Sequence, residues 1–283
     1  MVRREHQAAG LIPPLRISEV QRNSASQFAG AAEIEDAYGH RKRLRWIRSH
    51  LLADDRIIEI GCGTGFMLCL PLALEGYDVT GIDLDVTSIE EGKRIFESIG
   101  ADQSRLRAVD FSETDIHPDV SIVSEVLEHL EGDRIKDLLE TIRKRMPKHG
   151  RLLVTVPNGF GWFEFESFLW NRVGLEWLAR KLRVQRALDA LKTRWLTRPF
   201  RYSYPSTFSD SGHIQRFTLR SIQRLLNDSG FEVFEATGTV MFAGPVSNLV
   251  FRGLEGPLAF NARLGSRFPK LAAGFLVAAR TVS

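Results

Sequence analysis

The chain has 283 residues, with 43% apolar and 26% charged side chains and a net charge of +3. That length serves one large domain or two small ones, no run approaches the ~20 apolar residues of a membrane-spanning helix, and so small a basic excess selects no partner by itself. Two cysteines, Cys62 and Cys69, are too few for a disulfide framework or a cysteine-based zinc site, and their spacing matches no redox pair.

Residues 1–10 lack the apolar stretch and small-residue cleavage site of a secretory signal, so a cytoplasmic location is expected. Residues 1–30 are polar, contain Pro13-Pro14 and read as a mobile or loosely docked arm; residues 31–283 read as a single domain. From Ala31 to Leu52, Leu44, Ile47, Leu51 and Leu52 recur at helical spacing among Arg41, Lys42, Arg43, Arg45 and Arg48, which predicts a helix over the mouth of a site. Strand and helix patterns then alternate. Strands are predicted at Arg56–Ile60, Asp78–Asp83, Leu106–Val109, Val120–Ser124 and Arg151–Val156, and helices at Gly65–Leu74, Thr87–Ile99 and Asp133–Arg145. A parallel sheet with helices on both faces, an α/β doubly wound fold, is the economical arrangement.

An insertion over 160–211 follows, with a different character. Trp162, Phe163, Phe165, Phe168, Trp170, Trp177 and Trp195 crowd it, and basic residues fill much of the rest. Three readings stay open: a helical lid packed on its own domain, a membrane-facing segment over 160–205, and a nucleic-acid surface, which is disfavoured because no RNA-module motif accompanies the basic residues. Beyond it, a helix starts at Thr218 and ends at Gly230, a strand covers Phe231–Thr239, residues 241–271 are broken by Gly and Pro with helical character around Phe260–Phe268, and a closing strand runs Gly274–Thr281.

The most informative stretch is Ile57 to Phe66, an apolar run with Glu59 followed by Gly61, Gly63 and Gly65. Glycines in a strand-to-helix turn let the backbone take positive φ and approach a ligand closely. The third glycine of a dinucleotide fingerprint is replaced by Phe66, so a pyrophosphate is not the expected ligand. Asp83 ends the second strand about twenty residues on, where a carboxylate can take both hydroxyls of a ribose; Asp85, two residues later, is the competing choice. Asp110-Phe111 follows the third strand, and a turn-capping role for Asp110 is the simpler alternative. After the fourth strand comes Ser124-Glu125-Val126-Leu127-Glu128-His129-Leu130, and further on Gly212-His213-Ile214-Gln215-Arg216-Phe217-Thr218.

These segments resemble class I S-adenosylmethionine-dependent methyltransferases, whose first motif is an acid, a spacer and Gly-x-Gly-x-Gly; Glu59, Gly61, Gly63 and Gly65 match it position by position. The resemblance implies a Rossmann-like sheet of seven strands with the last inserted antiparallel. It implies a cofactor site of Glu59, Gly61, Cys62, Gly63, Gly65, Asp83, Leu84, Asp110, Phe111 and Glu125. The Glu-x-x-Glu-His segment is similar to that of ubiquinone-pathway O-methyltransferases and of small-RNA 2′-O-methyltransferases. In the second group both acids, the His and a later His hold a divalent metal, which implies Glu125, Glu128, His129 and His213 as a ligand set for Mg or Mn. A metal-free site, with His129 and Glu128 handling the proton of a substrate hydroxyl, is the alternative. The expected function is O-methylation of a small-molecule, sugar or lipid-linked hydroxyl acceptor by a cytoplasmic protein that is soluble or peripheral on the inner face of the membrane. A metal-dependent RNA 2′-O-methyltransferase and a non-catalytic S-adenosylmethionine-binding regulator remain as the other readings.

Overall fold

Aliphatic residues in alternation build strands buried on both faces, and the computed structural model places seven of them in one sheet. It describes residues 37–163, 212–251 and 254–282, with Glu166, Trp170 and Trp177 as separate positions. The N-terminal arm, residues 31–36 and most of the 160–211 insertion lie outside the described residues. The strands are β1 (Arg56–Ile60), β2 (Asp78–Asp83), β3 (Leu106–Ala108), β4 (Val120–Ser124), β5 (Arg151–Pro157), β6 (Phe231–Gly238) and β7 (Gly274–Thr281), in the order β3-β2-β1-β4-β5-β7-β6. Strands β1 to β5 are parallel, with Ile58 opposite Thr80 on one side and Ser121 on the other, and β7 is antiparallel to both β5 and β6. This is the expected seven-stranded α/β sheet.

Successive residues of each strand face opposite layers. Ile57 packs with Val79, Ile89 and Phe96, in a layer with Leu44 and Ile47 of α1 (His40–Arg48), Leu72 of α2 (Cys69–Leu74) and the apolar face of α3 (Val86–Ser98). Its neighbour Ile58 packs with Val123 and Val154 against Ile135, Leu139 and Ile142 of α4 (Gly132–Arg145) and Ile222 and Leu226 of α5 (Leu219–Asp228). Both faces are therefore covered, as parallel strands require. Two shorter-range elements, α6 (Pro245–Phe251) and α7 (Glu255–Arg267), lie between β6 and β7 in the chain. No helix among the described residues is long and apolar enough to cross a membrane.

Three element boundaries differ from the sequence expectation for identifiable reasons. Helix α2 begins at Cys69, not Gly65: Gly65 has φ 68°, outside the helical region, and the residues after it form turns before Glu59 caps the Cys69 amide. Among the described residues α1 is confined to His40–Arg48, entered through Gly39 at φ 79°. Helix α7 begins at Glu255, five residues before the expected Phe260. Gly256 and Pro257 fall in its first turn, where a proline has no intrahelical N–H bond to lose, so they open the helix.

Candidate active site

Strand order reverses at β1, whose neighbours β2 and β4 leave in opposite directions, and the crevice beyond their carboxyl ends is where ligands bind in such sheets. The glycine turn sits there. Gly61, Gly63 and Gly65 all have positive φ, of 74°, 55° and 68°. A Cβ on Gly61 would stand 2.4 Å from Val126 Cγ2, so this position demands glycine on space as well as on conformation. The turn is tied to β2: Gly61 N and Cys62 N donate to Ile82 O at 2.8 and 3.0 Å, and Gly63 N donates to Asp83 Oδ2 at 2.7 Å. Glu59 is buried beneath it and accepts from Cys69 N at 2.9 Å; burial raises its carboxyl to about 8.

A cavity of about 840 Å³ runs from this turn across the end of β4 to the end of β5. Gly61, Cys62, Gly63, Asp83 and Leu84 line its first part. Asp83 and Asp85 both reach the wall but differ in duty: Asp85 caps α3, accepting from Thr87 N at 3.0 Å, whereas Asp83 braces the glycine turn. Asp110 and Phe111 line the next part. The capping alternative for Asp110 holds alongside that placement, because its Oδ1 accepts from Ser112 N and Ser112 Oγ at 2.8 and 2.7 Å, and these bonds hold its carboxyl below the usual range. Phe111 is buried, with the Arg145 guanidinium 4.8 Å from its ring centroid.

The turn after β4 carries the acid and histidine motif. Glu125 has φ 57°, a left-handed conformation costing a non-glycine residue on the order of 1–2 kcal/mol. Its backbone N–H donates to Thr155 O at 2.9 Å, and its Oε1 accepts from Thr155 Oγ1 at 2.9 Å and pairs with Arg43 Nη2 at 3.2 Å. Glu128 is 1% exposed and neither carboxylate oxygen has a hydrogen-bond partner; burial, then the charge of Glu125, pushes its carboxyl to about 9. The Glu128 carbonyl accepts from Ile214 N and Gln215 N at 2.7 and 3.0 Å, which stitches the 212–217 segment onto the motif. His213 thereby meets His129, with ring centroids 5.0 Å apart, and His129 Nε2 lies 3.9 Å from Glu128 Oε1.

The four residues expected as metal ligands are thus divided. Ligand atoms of Glu128, His129 and His213 lie within 4.8 Å of one another, and Glu125 is outside that group, its Oε1 engaged by Arg43 and Thr155. The expected catalytic pair is divided too, since His129 lines the cavity and Glu128 is buried behind it and does not. Sequence reasoning passed over Arg43 as one of five basic residues on α1, although it lines the cavity beside Glu125. Tyr38, which no motif marks, and Phe163, expected only as one aromatic of the insertion, give with Ala243 and Ala273 an apolar wall at the far end. The run of arginines hid the first, and the contacts of the others come from elements remote in sequence.

Residues 16–236 match the family model described as a methyltransferase domain. A ubiquinone biosynthesis O-methyltransferase from Paraburkholderia phymatum is 31% identical over 157 residues, covering 50% of this chain and 59% of its own. A ribosomal protein L11 methyltransferase from a Shewanella species (strain ANA-3) is 31% identical over 113 residues, 40% of this chain and 37% of its own. The chain therefore spans roughly 37 to 59% of the length of these curated relatives. In fold it is similar to the crystal structure of an S-adenosylmethionine-dependent methyltransferase from Methanosarcina mazei, with a TM-score of 0.50, 21% identity, and coverage of 84% of this chain and 97% of that one.

Proposed function

Since the chain belongs to the methyltransferase-domain family of class I S-adenosylmethionine-dependent methyltransferases, we propose that it transfers a methyl group to a hydroxyl of a small-molecule or lipid-linked acceptor. The observation that carries this reading is the single cavity joining the glycine turn and Asp83 to His129 and His213. Its volume of about 840 Å³ is at the upper end of the range for small-molecule sites and leaves room for an acceptor beside the cofactor.

S-adenosylmethionine supplies the methyl as an activated sulfonium, so the chain has to hold two partners in line and remove one proton. Asp83 takes the ribose hydroxyls, keeping its bond to Gly63 N, and Asp110 with Phe111 takes the adenine. Arg43, already paired with Glu125 on the cavity wall, is placed to bind a carboxylate, and Glu125 to receive an ammonium; both are present on the methionyl end. His129 faces the acceptor end and accepts the hydroxyl proton. His213, packed edge-on against it, fixes its ring.

A specific observation also favours a bound divalent metal: a buried, unpartnered carboxylate, Glu128, beside two imidazoles. Such a donor set suits a borderline ion such as Mn more than Mg. In that second reading His129 is a ligand and not the base: an ion held by Glu128, His129 and His213 would lower the acceptor hydroxyl's pKa, and its proton would leave to solvent. The ligand set proposed here has three residues, not four.

The test is transfer of labelled methyl from S-adenosylmethionine to fractionated cell extract, with His129→Ala as the control. Label in a lipid or small-molecule fraction, lost with the variant while S-adenosylhomocysteine still binds, is the expected result. Label confined to protein or RNA would overturn the acceptor class, and no label with wild-type protein would overturn transfer. Metal content after dialysis, with and without His213→Ala, decides the metal reading.

A further inference from the structure

The outer face of α7 and the turn after it gather apolar and cationic groups beside the acceptor end of the cavity. Leu258, Asn261 and Gly265 form the buried line of this helix. On the opposite line, at helical spacing, stand Phe260, Arg263 and Arg267, all exposed. In the following turn Phe268 and Leu271 are 48% and 64% exposed, with Lys270 exposed between them. Residues 256–283 contain Arg263, Arg267, Lys270 and Arg280 and no acid. A second apolar edge adjoins this one. Asn158 Nδ2 donates to Lys270 O and Ala272 O at 3.3 and 2.8 Å, which holds the loop of Phe160 and Trp162 against the same turn; Phe160 is 71% exposed, and Trp162, bonded to Glu166 and packed on Phe242, is 41% exposed.

Single exposed apolar residues are ordinary on a protein surface; several large ones interleaved with Arg263, Arg267 and Lys270 are not. A nucleic acid would engage the arginines, and an unpaired base could stack on Phe260 or Phe268, but it offers nothing to the aliphatic Leu271. An anionic bilayer satisfies both parts, since rings and aliphatic side chains enter the headgroup boundary while Arg and Lys stay among the phosphates. The position has a use as well. Ala273 and Gly274, the residues that follow this turn, line the cavity near Phe163.

We propose that the outer face of α7, with the Phe160–Trp162 loop, docks on an anionic lipid bilayer and turns the acceptor end of the cavity toward the headgroup layer. This deepens the methyltransferase reading by making the acceptor a membrane-borne molecule, but docking itself is measured without methyl transfer.

The experiment is co-sedimentation of the full chain with vesicles of phosphatidylcholine alone or with phosphatidylglycerol added. The wild type pellets with the anionic vesicles, pellets little with the neutral ones, and binds the anionic ones less, though still measurably, as salt is raised. Arg263→Glu, Arg267→Glu and Lys270→Glu together reduce partitioning roughly 100-fold, each cation contributing roughly fivefold. Phe268→Ser with Leu271→Ser removes the salt-resistant part. Both variants keep wild-type melting and wild-type affinity for S-adenosylhomocysteine in calorimetry, which shows that they fold. Equal pelleting with neutral vesicles, pelleting of the charge-reversed variant like wild type, or no pelleting of wild type overturns the proposal. So does a dimer of the wild type that Phe268→Ser with Leu271→Ser dissociates, or retention by RNA in place of vesicles. Loss of vesicle binding with S-adenosylhomocysteine binding intact sinks the docking alone; the reverse sinks the methyltransferase site alone.

Discussion

A carboxylate whose two oxygens are buried without a partner is costly unless it is protonated or holds an ion, and Glu128 is in that position. In metal-free protein Glu128→Gln removes the charge and keeps the shape. The variant should melt several degrees above wild type near pH 9, a gain on the order of 1–3 kcal/mol, while methyl transfer by metal-loaded protein falls at least tenfold; melting curves of the metal-free protein and turnover with added Mn check the two halves. Asp83 gives a separate expectation. Its two oxygens accept from Gly63 N and, at 2.8 Å, from Asp85 N, so Asp83→Asn keeps one of these bonds, loses the other and weakens the proposed ribose contact by loss of charge. Affinity for S-adenosylhomocysteine should drop roughly 10- to 100-fold by calorimetry, the range for hydrogen bonds to a charged group, with a modest fall in the melting temperature of the free protein from the lost backbone bond.

Two elements of the site are held by single cations. All three Lys42 Nζ donors are used on backbone carbonyls: Gly238 O at 2.6 Å, Ala262 O at 2.8 Å, and Thr239 O. This fixes α1 to the end of β6, and with it Arg43 on the cavity wall. Trp46 Nε1, donating to Glu235 Oε1 at 2.7 Å, secures the same helix lower down. Lys42→Met should therefore lower both the melting temperature and the affinity for S-adenosylhomocysteine. Trp46→Phe, which removes a bond far from the cavity, should lower the first alone. Arg145 does for the turn at residues 111–113 what Lys42 does for α1, donating to Phe111 O, Ser112 O and Thr114 Oγ1 at 2.6 to 2.9 Å. The place of the glycine turn, Asp83 and Asp110 at the strand ends was legible because each follows a strand by a fixed, local rule. Lys42 reaches its carbonyls across 196 to 220 residues, and no periodicity reports such a link. His213 was legible as a residue type; that it sits with Glu128 and not with Glu125 depended on the bonds from Ile214 and Gln215 to the Glu128 carbonyl.

At the scale of the molecule, the titration of buried acids sets the dependence of stability on pH. Glu59 and Glu128 hold their protons to about 8 and about 9 in the folded state, against about 4.5 when unfolded. The folded state binds more protons through that interval, so their contribution is full below 4.5 and is lost as pH rises through 8 and 9. Asp110 and Asp119 act oppositely: hydrogen bonds from Ser112 and Arg56 lower them, and their contribution disappears in acid below their usual range. Metal-free protein should melt highest near pH 5 to 6 and lose stability steadily toward pH 9, and Glu128→Gln should flatten the upper part of that slope. The fold class was legible because alternating β and α patterns leave few arrangements. Helix α7 was only half legible, since Gly256 and Pro257 signal an interruption to any local rule and become an opening once the chain is folded.

Strand β7 is the last of the seven in sequence and the sixth in space, seated between β5 and β6. During synthesis, everything up to β5 can assemble while residues 274–281 are still inside the ribosome, but β6 has no strand to lie against until they emerge. The nascent protein must therefore wait with an open edge on β5, and a ribosome that stalls or stops before Gly274 releases a chain whose exposed strand is a template for aggregation.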